Sequence, residues 1–290
     1  MMQVLQVVIL GLALGFVYAL MVSGLTLIFG VMRIVNLAHP ILIITGAFVS
    51  YWLFILIGLD PILSVPLAAI VVACLGIVLY KLIFEKDAAQ QTYSEMTVLL
   101  TFGMAMVLDG ALAFFFHNTQ RITSPSYATD AIFIGEIFIP TAQLYSGLVS
   151  ATIITALALF LKYSNFGVAI RATSQNRTSA ELVGVNVKLV CLVSFAIGCA
   201  LAGSAGALVS FVFSFFPSRH WEWIAIMMSL VVLGGMGSIT GAVIGALVLS
   251  VVSSLVGAYY SPAWSTMVFF LALFVILLFR PQGLFGVRVD

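Results

Sequence analysis

Long apolar runs separated by short polar stretches dominate the chain. A helix needs roughly 20 predominantly apolar residues to cross a bilayer. The pattern predicts spans at about 4–30, 38–58, 61–84, 96–117, 141–162, 189–214 and 264–279. The stretch 222–257 is long enough to cross twice, with Gly234-Gly235-Met236-Gly237-Ser238 at its middle. The expected fold class is all-α: a polytopic transmembrane helical bundle of about 8–9 crossings, eight if 222–257 is partly re-entrant. Residues 1–290 form a single transmembrane domain, without an interdomain linker or low-complexity tract. Asn118–Pro140 is too polar to span and Phe216–Glu222 is a short loop; both are expected as external segments. Met1–Leu20 lacks the basic start of a cleaved signal peptide, so its apolar run is expected to be a retained span.

Composition agrees with this pattern. The chain is 63% hydrophobic and 7% charged, against about 25% charged residues in soluble domains. So few charges cannot cover a water-exposed surface, which leaves lipid as the main solvent. Cys74, Cys191 and Cys199 lie in apolar stretches without metal-ligand spacing and suit packing; no metal site is expected.

The distribution of charge orients the spans. If the polar loop of about 163–188 is cytoplasmic, Arg33, Lys81, Lys86, Lys162, Arg171, Arg177, Lys188, Arg280 and Arg288 all fall inside, and only Arg121 and Arg219 fall outside. This positive-inside bias predicts an external N-terminus and an internal C-terminus, provided that 222–257 crosses twice.

Catalytic signals are thin. No G-x-x-x-x-G-K-[ST], H-E-x-x-H or G-x-S-x-G is present, and His39, His117 and His220 are scattered. Asp109 is the one carboxylate well inside a span, where a charge costs about 2.5–3.5 kcal/mol on insertion scales. It reads either as a path or gating residue or as a buried, hydrogen-bonded packing residue.

Two internal segments have structured signatures. Thr178-x-x-Glu181 is a capping box, Gly184 suits a left-handed helix stop, and Asn186 can cap the next span. This predicts a short helix over 178–184 at the inner face, flanked by Arg171, Arg177 and Lys188; it serves as a docking element for a cytoplasmic partner or is an ordinary solvated loop. In Gly30–Pro40, Asn36 can cap the following helix and Pro40 suits its first turn, with His39 a contact residue or an interfacial polar group. Gly30 and Gly235 occupy similar turn positions at the inner face. Small residues recur at Ser194, Gly198, Ala202, Gly206 and Ser210, and again at Gly237, Gly241 and Gly245. Such stripes let helix backbones approach closely.

The chain resembles the permease subunits of the branched-chain amino-acid and urea class of ABC importers. Four blocks carry the resemblance: Gly24–His39, Arg171–Arg177 running on to Gly184, Leu233–Ser238 with Gly241, and Arg280–Gly286. The resemblance implies pairing with a second permease subunit (a paralogue or the chain itself) and with two cytoplasmic ATPases that carry ATP and Mg. It implies solute delivery by a periplasmic binding protein, a bacterial inner-membrane location, no cofactor on this chain and no nucleic-acid partner. It further implies that Arg171, Arg177, Thr178, Glu181 and Gly184 belong to the coupling element. Asn36, His39, Asp109, Gly234, Gly235 and Gly237 are candidates for the path or gate. One departure stands out: Pro40 and Ile41 follow Asn-Leu-Ala-His, where the family usually continues with Gly and often an acidic residue. A stand-alone carrier or channel is the alternative, and an intramembrane enzyme lacks the constellation it would need.

Overall fold

A computed structural model describes residues 2–85, 95–135, 137–280 and 282–285. Its helices are α1 (Met2–Met32), α2 (His39–Ile57), α3 (Pro61–Leu79, continued by a π-helical turn at Tyr80–Phe84), α4 (Glu95–Phe116), α5 (Thr141–Tyr163), α6 (Asn165–Gln175), α7 (Arg177–Leu182), α8 (Val187–Val212), α9 (His220–Gly234), α10 (Ile239–Tyr259) and α11 (Pro262–Phe279). Among the described residues, eight helices are long and apolar enough to cross a membrane: α1 to α5, α8, α10 and α11. Lys86, Pro281, Gly286, Arg288 and most of the 85–95 loop lie outside the described residues.

Local chemistry sets the helix starts. Asp60 accepts from the Ile62 N–H at 2.8 Å and Asn186 from Leu189 at 3.1 Å, each satisfying an end that has no intrahelical partner. Gly58, at φ +68°, closes α2. The pattern of apolar runs gave no sign of one element, the antiparallel hairpin of β1 (Ala131–Ile134) and β2 (Ile137–Pro140). It buries Ile137 and Ile139 and leaves a Phe133–Phe138 ring pair exposed.

α8 is the centre of the bundle, packed by α1, α2 and α3. Its small residues set the spacing. A Cβ at Gly198 would stand 2.9 Å from the Gly24 carbonyl oxygen on α1, and one at Gly206 would strike the Ile43 carbonyl of α2. Ala202 and the flanking Ser194 and Ser210 are fully buried on the same helix. Gly241 and Gly245 on α10 pack on the end of α9, against Gly234 and Leu233. Gly237 is not part of a helical stripe: it lies in the α9–α10 turn at φ +88° and packs on Gly30. Gly30 in turn is helical, within α1, so the two glycine regions are not equivalent turns.

The chain traverses the bundle between two ends. At one end meet the C-terminal turn of α1 (Gly30 on Gly237), the α6–α7 loop (Arg177 on the Val31 carbonyl) and the segment after α11 (Leu284 N–H on the Leu233 carbonyl, 2.9 Å). Arg33, Arg171, Arg177, Lys188 and Arg280 gather there, and it is called the basic end below. Traversal α9 is unusual, since its 15 residues extend only about 22 Å, short of a bilayer core of about 30 Å. α4 and α8 explain this, because both stop below the far end. The Phe116 ring at the end of α4 stacks on Phe48 at 4.8 Å. Phe48 lies nine residues before the end of α2 at Ile57, about 13 Å along its axis. The chain segments leaving α4 and α8 meet at this depth, where Arg121 and Phe215 exchange N–H···O bonds of 2.9 and 2.8 Å. The two segments expected to be external therefore begin inside the bundle, and α9 starts part-way down.

Candidate functional site

At the basic end the loop between α5 and α8 folds as two helices rather than one. Ser164 starts α6 by accepting from the Gly167 N–H at 2.9 Å. Asn176 ends α6 in extended conformation and caps α7, accepting from the Ser179 N–H at 3.0 Å. The helix start is therefore Asn176, and the capping box expected at Thr178 is displaced: Thr178 sits inside the first turn of α7. The signal was present in the sequence, since Asn is at least as good a cap as Thr. Gly184 takes φ +87° and accepts the helix end, its N–H bonded to the Glu181 carbonyl at 3.0 Å.

The loop carries an exposed apolar tip and a basic tether. Leu182 and Val183 are 84% and 78% exposed, an apolar tip at a polar end of the molecule. Beneath the tip, Arg177 donates from Nη2 (2.8 Å) and Nε (3.3 Å) to the Val31 carbonyl in the last turn of α1. A cation on an unsatisfied helix-end carbonyl is a strong contact, favoured by charge and by the helix dipole. α7 is thereby tied to α1. Arg171 lies at the α5–α6 corner, its guanidinium 3.5 Å from the Lys162 carbonyl, while Glu181 is exposed.

In the α1–α2 turn Asn36 and Ala38 are buried, and two expectations are corrected. Asn36 does not cap α2; its Oδ1 accepts from the Ala38 N–H at 3.1 Å in a turn, and Ala38 occupies the cap position. His39 is not interfacial. It is fully buried, with Nε2 3.2 Å from the Met21 carbonyl of α1. Because a carbonyl only accepts, Nε2 carries the proton. Pro40 occupies the first turn of α2. Thr101 of α4 braces the same turn, its hydroxyl meeting Leu37 N–H (3.3 Å) and the Val35 carbonyl (3.2 Å). Gly234 ends α9; Gly235 (φ +93°) and Gly237 form the turn that carries Gly30 on one side and Gly283 on the other.

Asp109 lies about two turns beyond Thr101 on α4, near the head of α9. Its Oδ1 is 3.9 Å from His220 Nδ1, too long for a hydrogen bond, and has no other partner. His220 is fully buried and donates from Nδ1 to the Pro217 carbonyl at 2.8 Å, leaving Nε2 without a partner. Arg219 and Glu222 pair at 3.2 Å beside them, both partly exposed. No spacing rule in the sequence joins residue 109 to residues 219–222; only the early ends of α4 and α8 bring them together.

A bundle of eight apolar candidate spans, among the described residues, with a capped, tethered double helix at its basic end has the make-up of a multi-pass membrane protein. The family profile described as branched-chain amino acid transport system, permease component, matches residues 7–278. The chain belongs to that family and is a permease component of such an ABC transport system, a multi-pass membrane protein without an ATPase of its own. It is 29% identical to the high-affinity branched-chain amino acid transport system permease protein LivH of Escherichia coli K12, over 97% of this chain and 95% of that protein. It is 28% identical to LivH of Salmonella typhimurium with the same coverage, and 27% identical to BraD of Pseudomonas aeruginosa, again over 97% and 95%. No solved structure matches the chain significantly.

Proposed function

We propose that this chain forms the path for an amino acid of branched-chain type, paired with a second permease subunit and supplied by a periplasmic binding protein. Cytoplasmic ATPases that hold ATP and Mg engage it through α6 and α7. The N-terminus is outside and the C-terminus inside, because the basic end is then cytoplasmic. The observation that carries this reading is the α7 element. It is capped by Asn176, stopped by Gly184, apolar at Leu182 and Val183, and tied by Arg177 to the end of α1. A push on such a rigid tip reaches a spanning helix, whereas a loose loop would absorb it.

Gly184→Val tests it. A Cβ there meets nothing within 4 Å, so the variant probes backbone conformation and not space. A left-handed φ costs an L-residue about 1–2 kcal/mol, and a β-branched one is especially disfavoured. In the reconstituted complex the expected result is normal assembly and ATP binding, with loss of both the ATPase stimulation by loaded binding protein and uptake. Full stimulation and uptake would remove α7 from the coupling route.

A further inference from the structure

Asp109 shares one flank of α4 with Phe102 and Met106, at three- and four-residue helical spacing. Phe102 faces the head of α9, its ring 5.5 Å from that of Trp221. Along this seam Met106 is 54% exposed and Trp221 39%. The seam is deep. Ser218 donates its N–H to Asn118 Oδ1, just past the end of α4, and Asp109 lies seven residues before that end at Phe116, about 10 Å further in. The end of α4 is itself about 13 Å below the end of α2.

Charged groups at that depth cannot be left facing hydrocarbon. Each costs about 2.5–3.5 kcal/mol, and three would approach a typical fold's whole stability of about 5–15 kcal/mol. Pairing of Arg219 with Glu222 lowers that cost but leaves Asp109 with an unpartnered Oδ1 and His220 with an unpartnered Nε2. About a third of a turn round α4, Val107 is 72% and Phe114 78% exposed, an apolar face that suits lipid. We propose that the seam of α4 and α9 carrying Asp109, Met106 and Trp221 is the wall of the water-filled path, and that Asp109 meets the ammonium end of the solute. This rests on the permease reading but not on ATPase coupling, so the two fail separately.

The test is thiol accessibility in the assembled complex in membranes, with Cys74, the exposed native cysteine, replaced by Ser. Met106→Cys is expected to react with a membrane-impermeant cationic thiosulfonate. Phe114→Cys is expected to react only with a lipid-soluble maleimide. Adding Asp109→Asn to Met106→Cys should lower the ratio of cationic to anionic reagent rates several-fold, because a nearby negative charge is lost. Reaction of Met106→Cys with the lipid-soluble reagent alone would place the seam against lipid. No reaction with either would make it a sealed subunit contact. An unchanged charge ratio would remove Asp109 from the path. Each of these three results overturns the proposal.

Discussion

Asp109 and Arg177 show how differently single polar residues are used in a chain with so few of them. Arg177 is satisfied: it spends two donors on one helix-end carbonyl at 2.8 and 3.3 Å. Removing it strips a charge-assisted contact of the kind worth about 1.5–3 kcal/mol. Arg177→Ala is therefore expected to leave the complex assembled but to lower uptake and weaken ATPase stimulation. Arg177→Lys should restore part of the loss, because an ammonium can make one of the two bonds. Measuring stimulation in both variants separates a tether from a mere solubilising charge, since equal activity in all three proteins would mean the bond transmits nothing. Asp109 is unsatisfied, with Oδ1 buried and no hydrogen bond. Asp109→Asn keeps the shape and removes the charge, so uptake is expected to fall severalfold at unchanged protein abundance. Normal uptake would make the carboxylate a packing group. Asp109 could be singled out from the sequence because a lone carboxylate in an apolar run is conspicuous. Its neighbour could not, because His220 is adjacent to it only through the early ends of two helices.

At the scale of elements, spans were legible and irregularities were not. Hydropathy places α1 to α5, α8 and α11 within a few residues, since a lipid-facing helix must be apolar over its whole length whatever its neighbours do. The same signal is silent on where a helix stops inside protein. That is why α9 appears only in the structure as a 15-residue piece, and why the loop between α5 and α8 resolves there into two helices. Cap chemistry anticipated Gly184 and Asn186 but chose Thr178 over Asn176, as both patterns fit the local sequence. Burial decides the small residues in a similar way. A side chain at Gly241 would strike the Gly234 carbonyl, whereas one at Gly103 on α4 meets nothing within 4 Å. Gly241→Leu is expected to lower the yield and thermal stability of the purified protein, consistent with the 1–3 kcal/mol or more typical of overpacking. Gly103→Leu should be tolerated. Equal behaviour of the two would show that the α9–α10 contact has slack.

At the scale of the whole molecule, among the described residues one end gathers cations and the other does not, and this asymmetry is the basis for sidedness. Ser174 on α6 lies at the basic end and Ser126 lies past the end of α4, on the far side. With a single cysteine in sealed cells, an impermeant probe is expected to reach Ser126→Cys and not Ser174→Cys. Labelling of the latter would invert the bundle. Tyr127, beside Ser126, donates to Asp60 at 3.0 Å and so ties this far-side segment to the start of α3. Burial, and then the Asp60 carboxylate, raise its hydroxyl pKa, so it stays protonated. The central claim, that solute crosses here only when partner ATPases push on α7, is tested most directly in proteoliposomes. They would contain the chain with its ATPase and permease partners, loaded binding protein outside, and a labelled branched-chain amino acid. Accumulation that requires ATP on the ATPase side, and vanishes in a hydrolysis-deficient partner, is the expected result. Equal flux without ATP would contradict it and make the chain a self-sufficient carrier or channel.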